Sequence, residues 1–414
     1  MRIQSFIGGA LNAILKPFGL VLNRLSTYQT IVTQLEGYRT RHGALATKAA
    51  QSTAPNGSAP PIPEGPSVED DYNRLDSPKL YDDYKEYGEI FVRRWTNFAI
   101  FPKFADRVAA RVNKKIAYNP RSKRGDEAKV IAETLRREGL YRLGSFLTPM
   151  QVDEVVDYYR RIPCLPGHVP NASPNRTLRY VGDGADQYFS GCYRISEIAN
   201  APHLLNTALN PFLLDISAHY LGCIPTLTWL QTWWSFPNPK ITNVGSAATR
   251  FHRDQNDYRM FWIYMYLTDT TLDNGAHFII RRSDDAKALS EELAYAEEHH
   301  PHLREIIAEW PAEKMLQTNG YNIPDNIKEE GLKRLIEPIM GTKGEIFLST
   351  GINFHKILPA TKGRRLLFAA RYQLHGGPEI GMLDDMEQVP GWMVPQEIKA
   401  DDQLKYMTRC IIKW

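Results

Sequence analysis

A mainly β fold with flanking helices is the architecture this 414-residue sequence predicts. Three observations carry that expectation. The stretch Arg259-Met-Phe-Trp-Ile-Tyr-Met-Tyr-Leu-Thr-Asp269 is an apolar, aromatic-rich strand candidate. It is followed by the tight-turn signal Asp273-Asn-Gly275 and by a second strand candidate from Ala276 to Ile280. Further on, Gly344-Glu-Ile-Phe-Leu-Ser349 and, after a turn at Gly363, Arg364-Arg-Leu-Leu-Phe-Ala-Ala-Arg-Tyr372 read as strands long enough to cross a barrel.

In chain order, residues 1–43 read as an amphipathic helical segment. Its first 25 residues are apolar but broken by Lys16, Pro17 and Asn23, too often for a span of about twenty apolar residues. A helix lying on a membrane surface and a helix docked on protein are equal readings of this segment. Residues 44–69 are rich in Pro, Ala and Ser, bury too little apolar surface to offset their ordering entropy, and predict a flexible linker. Residues 70–135 mix aromatics with charges and predict helices that pack on the core or line its entrance. The main β domain is expected over 136–385. Within it, Thr148-Pro-Met-Gln151 is a capping box with proline at the first helical position, and Val152, Val155 and Val156 continue the helical period. A charged, largely helical insertion is expected at 283–340, with helical periodicity from Asp284 to Trp310; long insertions beside active sites are often lids. His299, His300 and His302 within it read as a solvated helix end rather than a metal site. Residues 386–414 form a C-terminal tail.

The most informative residues are His252 and Asp254. Two apart on a strand, they point to the same side of a sheet. A chain with 11 His and 47 acidic residues contains roughly one His-x-acid match by chance, so the ordered set that follows matters more than the pair. About a hundred residues later comes His355, on a distant strand candidate. Two imidazoles and one carboxylate on one face of an ion leave the opposite positions open, which suits non-haem Fe(II) and oxygen chemistry.

Taken together, His252-Arg-Asp254, Leu267-Thr-Asp269, Asn274-Gly275, Gly344-Glu345, His355 and Arg365 resemble the pattern of the phytanoyl-CoA dioxygenase family of Fe(II)/2-oxoglutarate oxygenases. Glu138 to Gln151 is similar to that family's opening segment, so the resemblance covers about 138–375, interrupted by the insertion. One departure stands out: where the family pattern has Pro-Gly-Ser-His, this chain has Arg281-Arg-Ser-Asp-Asp285. The resemblance implies a double-stranded β-helix (jelly-roll, cupin-like) core. It implies Fe(II) held by His252, Asp254 and His355, with 2-oxoglutarate and O2 as cosubstrates. It also implies decarboxylation of 2-oxoglutarate to succinate and CO2, coupled to hydroxylation of a C–H bond. Desaturation, epimerisation and ring formation stay open; halogenation does not fit, because Asp254 takes the position a halide would need.

An arginine is the expected partner for the distal carboxylate of 2-oxoglutarate, because a guanidinium offers parallel donors to both oxygens. Arg364 and Arg365 point to opposite faces of one strand. Spacing from His355 favours Arg365, with Arg364 in reserve, and even spacing puts Arg371 on the Arg365 face, near the pocket or in a structural pair. Gln231 shares a face with Trp233 and Ser235 and is the expected second polar contact to the 2-oxo acid. Trp262, Tyr264 and Tyr266 form an aromatic stripe expected to pack, and His277 is expected to pack or hydrogen-bond near the site.

Composition narrows the partners. A net charge of +3 and no basic-aromatic array argue against nucleic acid. Cys164, Cys192, Cys223 and Cys410 have no metal-ligand spacing and no disulfide framework. The expected setting is cytoplasmic with a membrane association through residues 1–25 open, and the expected substrate is a small or lipid-like organic molecule. Two other classes remain: a jelly-roll scaffold without turnover, and a peripheral membrane protein.

Overall fold

The computed structural model describes residues 66–77, 80, 84–167, 177–237, 247–375 and 388–414. The chain divides into two compact units, residues 1–70 with 382–386 and residues 71–381 with 387–414. The amphipathic start and the linker as far as residue 65 lie outside the described residues. In the first unit the Asp70 amide donates to Ser67 Oγ at 3.0 Å while the Ser67 amide donates to Asp70 Oδ2 at 2.9 Å. That reciprocal cap starts a helix at Val68, so the linker expected to run to 69 is already regular two residues earlier.

The second unit is built on two antiparallel sheets. The larger comprises β1 (Leu140–Ser145), β2 (Leu165–Pro166), β3 (Ser190–Cys192), β4 (Thr226–Ser235), β5 (Met260–Tyr266), β8 (Glu345–Ser349) and β10 (Arg365–Gln373), in the order β1-β8-β5-β10-β4-β3-β2. The smaller comprises β6 (His277–Ile280), β7 (Ile336–Ile339) and β9 (His355–Ile357), in the order β7-β6-β9. Their inner faces meet in one cluster: Trp233, Tyr264, Tyr266 and Leu367 from the large sheet pack with Ile279, Ile339 and Ile357 from the small one. Each such large side chain removed from water contributes about 1.5–3 kcal/mol, so this face-to-face core closes the expected double-stranded β-helix. Strict alternation sets the contents of the interior: β10 sends Arg365, Leu367, Ala369 and Arg371 to the face shared with Ser235, Trp233 and Gln231 of β4.

Helices cover the outer face of the large sheet. The helix Pro149–Arg161 has the expected capping box, with Thr148 accepting from the Gln151 amide and Val152, Val155 and Val156 buried. From its inner side Tyr159 donates to Thr232 Oγ1 at 3.1 Å. Helix Gly125–Glu138 packs on Pro211–Leu221, and the Tyr372 hydroxyl at the outer face of β10 donates to the Ala208 carbonyl.

One reading changes, the end of the insertion, and two gain detail. The Asp273-Asn-Gly275 signal does not close a hairpin: β5 and β6 lie in different sheets, and the turn is a short 3-10 segment ending in left-handed Gly275, φ 101°. The helical insertion ends before 340, because Ile336–Ile339 is strand β7, paired with β6. Pro338 hides this strand from sequence inspection, yet β7 is an edge strand, where a proline costs no ladder hydrogen bond. The C-terminal tail is folded: β11 (Val389–Pro390) pairs in parallel with β12 (Ile412–Lys413), and Arg409 donates to the His375 carbonyl at 2.8 Å. All four cysteines are buried thiols, none of them in a disulfide. Among the described residues no helix is long and apolar enough to cross a membrane.

Candidate metal centre

His252 and His355 sit directly opposite one another as an antiparallel bridge, with reciprocal N–H···O bonds of 3.0 and 2.9 Å. Side chains opposed in this way project to the same side, and the two imidazoles lie 4.4 Å apart between centroids. Asp254, two residues on from His252, reaches the same point. Its Oδ1 is 3.9 Å from His252 Nε2 and 3.7 Å from His355 Nε2. Ligating atoms of all three residues fall within 4.8 Å of one another. These separations are too long for hydrogen bonds. Two donors each about 2.1 Å from one ion are at most about 4.2 Å apart, so a single cation can bridge both pairs.

The protonation pattern is set by the backbone. Nδ1 of His252 donates to the Arg250 carbonyl at 2.9 Å, and Nδ1 of His355 donates to the Asn353 carbonyl at 2.9 Å. A carbonyl only accepts, so each ring carries its proton on Nδ1 and presents the Nε2 lone pair toward Asp254. Asp254 is oriented too. Its Oδ2 accepts from Trp262 Nε1 at 2.8 Å and its amide donates to the Gly351 carbonyl at 2.7 Å, leaving Oδ1 for an ion. Gly351 is required by space: a Cβ there would lie 2.7 Å from Asp254 Oδ2 and 2.5 Å from Met260 Cε. The three side chains keep 12–20% of their surface exposed, so the centre is reachable.

Deeper in the barrel lies Arg365, fully buried. Its Nη2 donates to Ser235 Oγ at 2.9 Å and its Nη1 to the Gly275 carbonyl, while Nε has no hydrogen-bond partner. Burial pulls the guanidinium down to about 10, and the groups that act on it in the opposite sense are Tyr266 and Tyr264. No carboxylate among the described residues faces it. Left-handed Gly275 is where the Asn-Gly signal finds its use, since it aims a carbonyl at Arg365. Arg364 points the other way, to Asp186 on the surface at 2.9 Å.

Other expected residues fall as follows. Gln231 is buried on the inner face of β4, opposite Ala369. Arg371 also points inward, with its guanidinium over Trp229 at 5.4 Å and Trp262 at 5.1 Å. His277 packs against Tyr264 and Phe347. With Trp262, Ser349 and His355 it lines a narrow gap between the sheets. The His299-His300-Pro-His302 cluster does not approach the site; His302 pairs with Glu330. Sequence reasoning missed Trp262 as the residue that orients Asp254, having assigned its stripe to packing; its position eight residues after the aspartate, on an inward strand face, was the available signal. It also missed Tyr321, whose ring lies flat on His252 at 5.5 Å and 9°. Nothing local in the insertion marks that tyrosine.

No family model matches the chain, and no curated protein matches it. Solved structures similar in part include the non-heme alpha ketoglutarate dependent epimerase SnoN from nogalamycin biosynthesis. It is 12% identical with a TM-score of 0.37, over 60% of this chain and 82% of that one. AviO1 from Streptomyces viridochromogenes Tue57 is 12% identical with a TM-score of 0.35, over 59% and 93%. HygX from Streptomyces hygroscopicus, with nickel and 2-oxoglutarate bound, is 15% identical with a TM-score of 0.35, over 60% and 86%. At these scores what those proteins bind carries no argument for this chain, whose chemistry rests on its own side chains.

Proposed function

We propose that this protein is an Fe(II)- and 2-oxoglutarate-dependent dioxygenase that hydroxylates a C–H bond of a small or lipid-like organic substrate, as the phytanoyl-CoA dioxygenase resemblance implies. The observation that carries the reading is the pairing of a two-histidine, one-carboxylate cluster with a buried arginine, Arg365, that has no acidic partner among the described residues. Burying a cation without a counter-charge costs several kcal/mol; a carboxylate delivered by a cosubstrate would offset that cost.

The donor set fits iron: neutral imidazoles and a carboxylate are intermediate ligands, and on one face they leave half an octahedron open. When bound, Fe(II) supplies dioxygen activation, with 2-oxoglutarate, O2 and R–H leaving as succinate, CO2 and R–OH. The chain's own residues supply the rest. His252 and His355 present Nε2 because their Nδ1 protons are held by backbone carbonyls. Trp262 holds Oδ2 of Asp254 so that Oδ1 is the ligating atom. Ser235 and the Gly275 carbonyl fix the Arg365 fork for the distal carboxylate of the 2-oxo acid, a charge-assisted bidentate contact, and Gln231 adds a polar contact on the same strand face. Aromatic side chains between the two ends exclude water.

The test is succinate formation by the full chain with Fe(II) and 2-oxoglutarate, first without and then with candidate substrates. Uncoupled turnover lost in Arg365→Met supports the reading. Absence of both turnover and 2-oxoglutarate binding in the wild type would leave the scaffold alternative.

A further inference from the structure

The helical insertion has a hydrophobic core of its own, and two residues of that core are neighbours of the metal ligands. Phe251 and Phe354 precede His252 and His355, point to the opposite face, and pack with Leu289, Leu293 and Leu303 of the insertion. The reverse side of the histidine pair is therefore the insertion's interior. The backbone is tied there as well: the Arg253 amide donates to the Asn319 carbonyl at 2.8 Å. Gly320, at φ +95°, passes so close that a Cβ would stand 2.6 Å from the Phe354 ring. Next in sequence is Tyr321, flat on His252.

At the centre of this contact is Lys328, fully buried in a π-turn at Ile327–Gly331. An ammonium has three protons, and here each finds an acceptor: the Gly320 carbonyl at 2.8 Å, the Phe251 carbonyl at 3.3 Å and Asp325 Oδ1 at 3.0 Å. The first two acceptors belong to the residues immediately before Tyr321 and before His252. One buried cation thus fixes, at once, the peptide that carries a metal ligand and the peptide that carries the ring stacked on it. π-Turns inside helical segments are frequent at functional sites.

We infer that Lys328 is a positioning residue for the metal centre, and that the insertion acts as a fixed brace of His252, with Tyr321 as its contact face, instead of a lid that opens and closes. The inference rests on the reading of His252, Asp254 and His355 as metal ligands. Groups in the shell behind the ligands typically change metal affinity by about 10- to 100-fold.

Cobalt(II) titration of the full chain, followed by visible absorbance, tests it alongside thermal unfolding. Lys328→Met should raise the cobalt Kd by about 10-fold or more. Leu293→Ala, which thins the insertion core but removes none of the three acceptors of Lys328, should lower Tm while leaving the Kd within about twofold, a change under RT ln 2. A Kd for Lys328→Met within twofold of the wild type overturns the inference. So does a Kd that tracks the loss of Tm equally in both variants. If Lys328→Met fails to fold, Tyr321→Leu takes its place: an altered cobalt spectrum supports the brace and an unchanged spectrum and Kd overturn it. A wild-type chain that takes up no cobalt overturns the metal-centre reading, and this inference with it. A wild-type chain that binds cobalt and is indifferent to these variants overturns this inference alone.

Discussion

Two fully enclosed arginines lie on opposite sides of the small sheet's ligand strand, and their surroundings differ in one decisive respect. Arg253, between the two early ligands in sequence, points into the insertion. There it lies over the Phe354 ring at 3.9 Å and the Phe98 ring at 4.9 Å and donates to the Ser283 carbonyl at 2.6 Å. The half-buried carboxylate of Asp284 acts on it, and burial brings the guanidinium down to about 9. Arg365, in the barrel, has a hydroxyl, a carbonyl and aromatic rings but no described acid. Both are desolvated; only Arg253 has a described carboxylate acting on it, and that one from beyond ion-pair distance. The comparison separates a buried cation that completes a structure from one that is prepared for a ligand.

The largest expected effect that sharpens this contrast is at the centre both flank. His252→Ala should leave no measurable cobalt or iron binding in an isothermal titration, while 2-oxoglutarate, deprived of its chelating ion, should bind only weakly. Next, Arg365→Met should weaken 2-oxoglutarate binding by about 2–5 kcal/mol, roughly 30-fold to a few thousandfold, as expected when one partner of a buried charge pair is truncated. Its metal affinity should stay unchanged, and the ligand-free protein should be no less stable than wild type, because no acid is left stranded. A clear drop in ligand-free Tm would mean that Arg365 has a structural counter-charge after all. Arg253→Met should do the reverse, costing about 2 kcal/mol of stability by removing a desolvated cation from over the Phe354 and Phe98 rings, with 2-oxoglutarate affinity per metal-loaded site retained.

Gly351→Ala should cost less stability than Arg253→Met but raise the cobalt Kd, since the new methyl pushes on Asp254 Oδ2. A tight cobalt site in that variant would mean that Asp254 has room to move. Arg364→Ala should have the smallest effect: its ion pair with Asp186 is at the surface, with the arginine side chain 46% exposed, and such pairs contribute about 0–1 kcal/mol. Loss of 2-oxoglutarate binding there would reverse the assignment of the two arginines.

Much of the site was legible because strands alternate. The two-residue spacing of His252 and Asp254, and the odd-even distinction between Arg364 and Arg365, translate directly into sides of a sheet, and in the structure Arg365 points inward and Arg364 outward. The loop Arg281 to Asp284 shows where legibility stops. Arg282 takes a left-handed φ of 55°, and Ser283 is fully buried. Its amide donates to Asn353 Oδ1 at 2.7 Å, and its Oγ accepts from the Phe354 amide at 2.7 Å. A loop that reads as a departure in sequence thus forms a bracket behind His355, visible only once residues seventy apart are in contact.

By itself the sequence determined which residues are able to share a face: periods of two residues in strands and 3.6 in helices follow from covalent geometry and are written locally. Which faces meet was decided by tertiary packing. The pairing of His252 with His355, the aim of the Gly275 carbonyl at Arg365, the hydrogen bond from Trp262 to Asp254 and the brace from Lys328 to Phe251 all join segments whose encounter depends on burying apolar surface between sheets and insertion. That driving force is non-directional and proportional to area, so no short stretch of sequence encodes it.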